Sequence, residues 1–197
     1  MANQDANKVY EIRWHGRGGQ GAVTGAMILA EAAYRDGYEG VTAAPFFGAE
    51  RRGAPIIATN RISRKEIKTF SLVETPDIVV VLDETLLRVV DVTNGLKPGG
   101  IVIVNTKKMP DEIGINDYVV AVTDASRHAE QAGLVVSGAT IVNTCILGAI
   151  GRATGLISLE SIEKAIRNHF SPGAAEKNIE GTRLTYEATK TSGVWKP

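Results

Sequence analysis

The sequence predicts an α/β protein: a three-layer α/β/α sandwich with a mainly parallel, mixed sheet and a helical C-terminal third. Three observations point there. Val9–Arg35 reads as a strand, a glycine-rich turn and a helix. DIVVVL at Asp77–Leu82 and IVIVN at Ile101–Asn105 are short continuous apolar runs, the pattern of strands covered on both faces. From Thr140 onward the apolar spacing becomes helical.

Taken in order, Lys8–Trp14 alternates and is β-rich, so it predicts the first strand. Gly16–Gly21 follows as a turn. Ala22–Tyr34 is rich in Ala, Leu and Met and predicts a helix with small residues toward the sheet. Gly40–Ala44 predicts a second short strand, and Pro45–Gly53 an irregular loop. Ala54–Ile62 predicts a strand that turns at Ser63-Arg64-Lys65 into Glu66–Phe70, a hairpin signal that makes part of the sheet antiparallel. Asp77–Leu82 is a strand, Glu84–Val92 a short helix, Lys97-Pro98-Gly99-Gly100 a turn and Ile101–Asn105 a strand. Asp117–Thr123 predicts a further strand and Asp124 to about Ala132 a helix. Thr140–Thr154, Ser158–Phe170 and Ala174–Thr191 predict three more helices, with Ser158 as a side-chain N-cap. No internal repeat or low-complexity linker divides the chain, which reads as one domain over residues 1–197.

Bulk composition narrows the function. The chain has 197 residues, and 22 basic side chains balance 22 acidic ones. A neutral chain lacks the clustered positive charge that nucleic-acid binding needs. Met1–Lys8 has no hydrophobic signal core, and no run reaches the ~18 apolar residues of a membrane span. A cytoplasmic protein is therefore expected. The single cysteine, Cys145, lies in an apolar run and reads as a small buried hydrophobe. One cysteine makes no internal disulfide and no iron–sulfur cluster.

The turn His15-Gly16-Arg17-Gly18-Gly19-Gln20-Gly21 is the centre of the functional reading. Gly16, Gly18 and Gly21 fit G-x-G-x-x-G between a predicted strand and a predicted helix, the context that gives this motif meaning. Gly16, Arg17, Gly18, Gly19, Gln20 and Gly21 are the candidate ligand-binding residues. Backbone N–H groups at a helix start favour negative charge, and Arg17 adds a fork-shaped cation. Dinucleotide binding wants a carboxylate at the tip of the second strand, and Thr42-Ala43-Ala44-Pro45 has none. A phosphate-bearing ligand, the edge of a partner's active site, and glycines kept only for close packing all stay open. His15 either orients the turn or is a packed side chain.

The loop PFFGAERRGAP, Pro45–Pro55, is the second candidate. Phe46 and Phe47 are costly to leave wet, and Glu50, Arg51 and Arg52 follow at once. Aromatics beside arginine are typical of protein–protein contacts. The loop leaves the carboxyl end of its strand, the edge that also carries the glycine turn. No catalytic constellation stands out: the three histidines lack metal-ligand spacing, and neither G-x-S-x-G nor H-E-x-x-H occurs.

HGRGGQGAVTGAMILAEAA, PFFGAERRGAP, TNRIS, TPDIVVVLDETLL, GLKPGGIVIVNT, IVNTCILGAIGRATGLISLESIEKAI and AAEKNIEG, in that order, resemble the gamma subunit of the 2-oxoacid:ferredoxin oxidoreductases, the pyruvate synthase group. The resemblance runs from about Tyr10 to Tyr186. It implies a subunit, not catalytic alone, of an enzyme that oxidatively decarboxylates a 2-oxoacid, most readily pyruvate, to acyl-CoA and CO2. It further implies alpha, beta and ferredoxin-like delta partners, with ferredoxin as electron acceptor. Thiamine diphosphate, Mg2+ and 4Fe–4S clusters would sit in those other chains. This chain, itself binding no cofactor or metal, would contribute part of the CoA side of the site through Gly16–Gly21. An aryl-glyoxylate or other 2-oxoacid complex, or a stand-alone dinucleotide-binding oxidoreductase, is the alternative.

Overall fold

The structure is a computed structural model and describes residues 8–45, 52–68, 71–136 and 138–196. Its strands are β1 (Val9–Arg17), β2 (Gly40–Pro45), β3 (Pro55–Ser63), β4 (Ile78–Val81), β5 (Ile101–Asn105), β6 (Val119–Thr123), β7 (Val135–Val136), β8 (Ala139–Thr140) and β9 (Lys190–Thr191). Its helices are α1 (Ala22–Arg35), α2 (Ala125–Gln131), α3 (Cys145–Thr154), α4 (Leu159–His169) and α5 (Pro172–Ala188). Seven strands form one mixed sheet in the order β2-β3-β1-β4-β5-β6-β9, and β7 and β8 form a small separate pair. The centre, β1-β4-β5-β6, is parallel. The antiparallel pairings are β1 with β3, β3 with β2 and β6 with β9.

Side chains alternate across a strand, so each apolar run feeds both faces of the sheet. Ile12, Trp14, Ile78, Val80, Ile101 and Ile103 share one core with the buried residues of all five helices. Val79, Val81, Val102, Val104, Val120 and Val122 build a second core, closed by Leu86, Val92 and Leu96. The sheet is thus covered on both faces, as a strand of continuous valine and isoleucine requires. The two layers differ in kind. One is helical, and the other is made of 3₁₀ turns at Glu84–Arg88 and Pro110–Ile113 and the loops beside them.

Close packing between α1 and the sheet depends on small residues. The Trp14 ring lies under Gly25, where an added Cβ would come within 3.2 Å of it. Buried Trp14 donates its Nε1–H to Asn60 Oδ1 at 2.8 Å, and Asn60 Nδ2 donates to Ala26 O and Thr42 O. One buried amide therefore ties β1, β2, β3 and α1 together.

Several expectations are corrected. The strand predicted at Glu66–Phe70 does not form over Glu66–Lys68, and Thr69 and Phe70 lie outside the described residues. The reason is that β3 already has β1 on one edge and β2 on the other, so no edge is left for a hairpin partner. The helix predicted at Glu84–Val92 shrinks to the 3₁₀ turn capped by Asp83, whose side chain accepts from Thr85 N. The helix expected from Thr140 begins at Cys145, and the last helix ends at Ala188 because Lys190–Thr191 turns back to pair with β6. β1 does not stop at Trp14 but runs on through Arg17.

Candidate functional site

After β1 the chain crosses by α1 to β2 on one side of the sheet. After β4 it moves to β5 on the other side. The carboxyl ends of β1 and β4 therefore flank a reversal in strand order, the place where open α/β sheets form a ligand crevice. A cleft of about 460 Å³ opens there. Gln20 comes from the glycine turn, Leu82 and Asp83 from the end of β4, Asn105 and Thr106 from the end of β5, and Asp124 and Ser126 from the end of β6.

The glycine turn is narrower than its motif. Gly16 and Arg17 are strand residues paired with β3, so the chain first turns at Gly18. Gly19 and Gly21 take φ angles of 96° and 76°, which only glycine adopts freely. Gly21 is the N-cap of α1, and no side chain caps that helix start. Asn143 sits directly against Gly21 and donates to its carbonyl oxygen at 3.2 Å. Among the described residues nothing lies within 4 Å of the position a Gly19 Cβ would take.

Arg17 is not a free cation. Its Nε pairs with Asp83 Oδ2 at 2.9 Å, one Nη donates to Gly53 O at 3.0 Å, and the other to Thr85 Oγ1 at 2.7 Å. Gln20 Oε1 accepts from Arg17 N at 2.7 Å. Arg17 thus bolts the turn to the tip of β4. Burial would raise the Asp83 carboxyl, but hydrogen bonds from Thr85 and the Arg17 guanidinium outweigh it and hold Asp83 below the usual carboxylate range.

His15 does not orient the turn. It is buried on the Arg13 face of β1, and its Nε2 accepts from Arg13 Nε at 3.1 Å. Burial, with the Arg13 charge beside it, pushes its pKa down to about 4, so the ring is neutral. Arg13 is held in turn by Val92 O and Asn94 O.

The second candidate segment runs beside the first. Gly18 N donates to Ala54 O at 2.8 Å and Gly53 N donates to Gly18 O at 3.0 Å. Arg52 is exposed and bridges to Gly18. Phe46, Phe47, Glu50 and Arg51 lie outside the described residues. The far wall of the cleft escaped the motif reading. Asn105 Nδ2 donates to Leu82 O and Ser126 Oγ, at 2.9 and 3.0 Å, locking the β4, β5 and β6 tips together. The Thr106 hydroxyl donates to the Glu84 carboxylate. These polar residues lie within a few positions of the end of an apolar run, in VVVLDE, VIVNTKK and AVTDAS, and that position was the available signal.

A dinucleotide arrangement is not met. In the dinucleotide fold the acidic strand lies next to the first. Here antiparallel β3 fills that place, and β2 is one strand further out. Among the described residues no group of three or more His, Cys, Asp and Glu side chains is placed to hold a metal ion. No described helix is long and apolar enough to cross a membrane.

Residues 11–188 match the family model described as pyruvate ferredoxin/flavodoxin oxidoreductase. The chain belongs to that family. The pyruvate/ketoisovalerate oxidoreductases common subunit gamma of Pyrococcus furiosus is 51% identical over 184 residues, covering 91% of this chain and 97% of that protein. The pyruvate synthase subunit PorC of Methanocaldococcus jannaschii is 46% identical, covering 89% of this chain and 94% of that one. The crystal structure of pyruvate oxidoreductase subunit PORC from Thermotoga maritima superposes with a TM-score of 0.80 at 42% identity, covering 94% of this chain and 99% of that one. This member of the pyruvate ferredoxin/flavodoxin oxidoreductase family is therefore a gamma-type subunit of an oxidoreductase complex.

Proposed function

We propose that this chain supplies one wall of the CoA site in a complex that oxidatively decarboxylates pyruvate to acetyl-CoA and CO2. The observation that carries the reading is the convergence of an uncapped helix start, an unobstructed glycine and a ligand-sized cleft at one reversal of strand order. Backbone N–H groups there suit a phosphate ester, and clefts of 300–1,000 Å³ (roughly) suit a cofactor-sized molecule. Arg17 is a positioning residue in this reading, because its guanidinium is spent on Asp83, Thr85 and Gly53. Arg52 beside Gly18 is an exposed cation at the turn, open to the ligand or to a neighbouring subunit.

Thiamine diphosphate with Mg2+ and the 4Fe–4S clusters belong to the alpha, beta and ferredoxin-like delta chains, with ferredoxin accepting the electrons in the cytoplasm. The donor set here does not fit a cluster: the one cysteine, Cys145, is fully buried in α3 and burial pushes its thiol up to about 12. Substrate choice also lies outside this chain. The Pyrococcus furiosus relative is named as common to pyruvate and ketoisovalerate enzymes, which suits a subunit that does not select the 2-oxoacid.

Gly19→Ala in the assembled complex tests the reading. A methyl at Gly19 meets no atom of the described residues within 4 Å. The positive φ of Gly19 costs an alanine about 1–3 kcal/mol of backbone strain, and the methyl fills the space a ligand would use. The apparent KM for CoA should rise about tenfold with kcat for pyruvate oxidation nearly kept. An unchanged KM for CoA in a folded complex would remove this chain from the CoA site.

A further inference from the structure

Beside the cleft lies a second, smaller cavity of about 200 Å³. The two share Thr106, Lys107, Lys108 and Asp124, so the Lys107-Lys108 segment forms the ridge between them. Four cations line the smaller cavity, Lys107, Lys108, Arg127 and Lys190, against one carboxylate, Asp124, a local surplus of three (four less one). The chain as a whole is neutral, so this surplus is concentrated, not a share of a general excess. Among the described residues Lys107, Lys108 and Arg127 have no ion-pair partner, and Lys190 touches only Met109 Sδ through its Nζ. Converging unpaired cations in a concave site focus field onto whatever anion enters.

A second observation lies in the same wall. Thr123 is 4% exposed, and among the described residues its hydroxyl has no hydrogen-bond partner. A buried hydroxyl without a partner costs stability, and native chains retain few of them. Such exceptions gather where function needs a polar group.

We propose that this cavity is a phosphate subsite. Lys107, Lys108, Arg127 and Lys190 bind the oxyanion, and the Thr123 hydroxyl, turned about its Cα–Cβ bond, donates to it. The size fits one phosphoryl group and not a whole nucleotide, whereas the adjoining cleft is large enough for the body of a ligand. Two sources share that chemistry: the 3′-phosphate of CoA reaching across the ridge, which rests on the preceding reading, and a separate phosphate-bearing solute, which does not.

The test starts with inorganic phosphate and the full chain. Phosphate raises the wild-type melting temperature saturably, as any ligand of the folded state does. The double variant Lys108→Ala with Arg127→Ala should bind about tenfold more weakly. Thr123→Val should melt at or above the wild-type temperature, because it removes an unpaired hydroxyl, yet bind phosphate more weakly. A merely structural threonine would not divide the two readouts in this way. A phosphate shift that survives in the double variant overturns the subsite. So does loss of partner subunits from that variant with phosphate binding intact, which would make the patch a protein docking surface.

In the assembled complex, KM for CoA is compared with KM for 3′-dephospho-CoA. A preference for CoA that disappears in the double variant assigns the cavity to the 3′-phosphate. An unchanged preference, with the melting shift still lost, assigns it to a separate phosphate ligand. If Gly19→Ala leaves the KM for CoA untouched while the phosphate shift holds, the CoA reading falls and the subsite stands.

Discussion

At the scale of single residues, position and partner decide what a side chain does. Arg17 lies within the glycine motif and His15 directly precedes it, yet both side chains are taken up by contacts within the chain. Arg17 is consumed by three contacts that fix the turn, and His15 is buried beside Arg13. His15 has a consequence for stability. Its pKa falls from 6.5 to about 4 in the folded chain, while the unfolded chain keeps the ordinary value. Between those values the unfolded state binds the extra proton, so stability rises with pH. The contribution is fully present above pH 6.5 and is lost as the pH falls toward 4, by about 3 kcal/mol at the lower end. His15→Gln keeps an acceptor for Arg13 but cannot titrate. Its melting temperature should fall less than the wild type's from pH 7 to pH 4.5. Parallel curves for the two proteins would show that His15 is not the titrating group.

At the scale of elements, glycine spacing sets how closely helices approach. At Gly148 in α3 an added Cβ would sit 2.1 Å from Thr182 O and 2.8 Å from Tyr186 N of α5. Both neighbours are backbone, which cannot step aside as a flexible side chain can. Gly148→Ala should therefore cost about 3 kcal/mol, the upper range for overpacking, and lower the melting temperature by about 10 °C in a chain of this size. Gly173 in the first turn of α5 has nothing among the described residues within 4 Å of the same position. Gly173→Ala should stabilise by about 0.5 kcal/mol through helix propensity alone. Equal effects at the two sites, measured by thermal unfolding, would contradict the packing account.

The same elements show what the sequence makes legible. Buried parallel strands announce themselves at β4, β5 and β6, because continuous apolar Val-rich runs have few other uses, and β1 is readable from its alternation instead. Ser158 is readable as a cap, and its side chain does accept from Ser161 N at 3.2 Å. β9 is not readable: two exposed residues carry no apolar period, and only its pairing with β6 defines it. The false hairpin at Glu66–Phe70 had correct local chemistry, and β1 and β2 already held both edges of β3. The glycine turn is readable because it is contiguous. Asp83, Asn105, Thr106 and Asp124 are not, since each is one polar residue at a strand end and only the sheet order brings them to one cleft.

At the scale of the whole molecule, the chain looks like a fitted part. It has a cleft, a glycine turn and a local cation surplus, all at the carboxyl edge of one sheet, yet a family chemistry that needs redox centres. A 4Fe–4S cluster takes four thiolates, and this chain has one thiol. That thiol is fully buried, its Sγ lies in the α3–α5 seam, and its high pKa keeps it protonated. An added Cβ at Gly181 would come within 2.6 Å of the sulfur, which is what packing, and not ligation, does with a cysteine. Tagged chain drawn from its own cells should then bring larger subunits and bound iron with it, while the chain produced alone should contain none. Cys145→Ala separates packing from chemistry. It leaves a small cavity at the seam and should cost about 1 kcal/mol, yet the assembled complex should keep its full iron content and its rate of ferredoxin reduction. Iron lost in proportion to one cluster would place Cys145 among the ligands and undo the assignment of every redox centre to the partner chains.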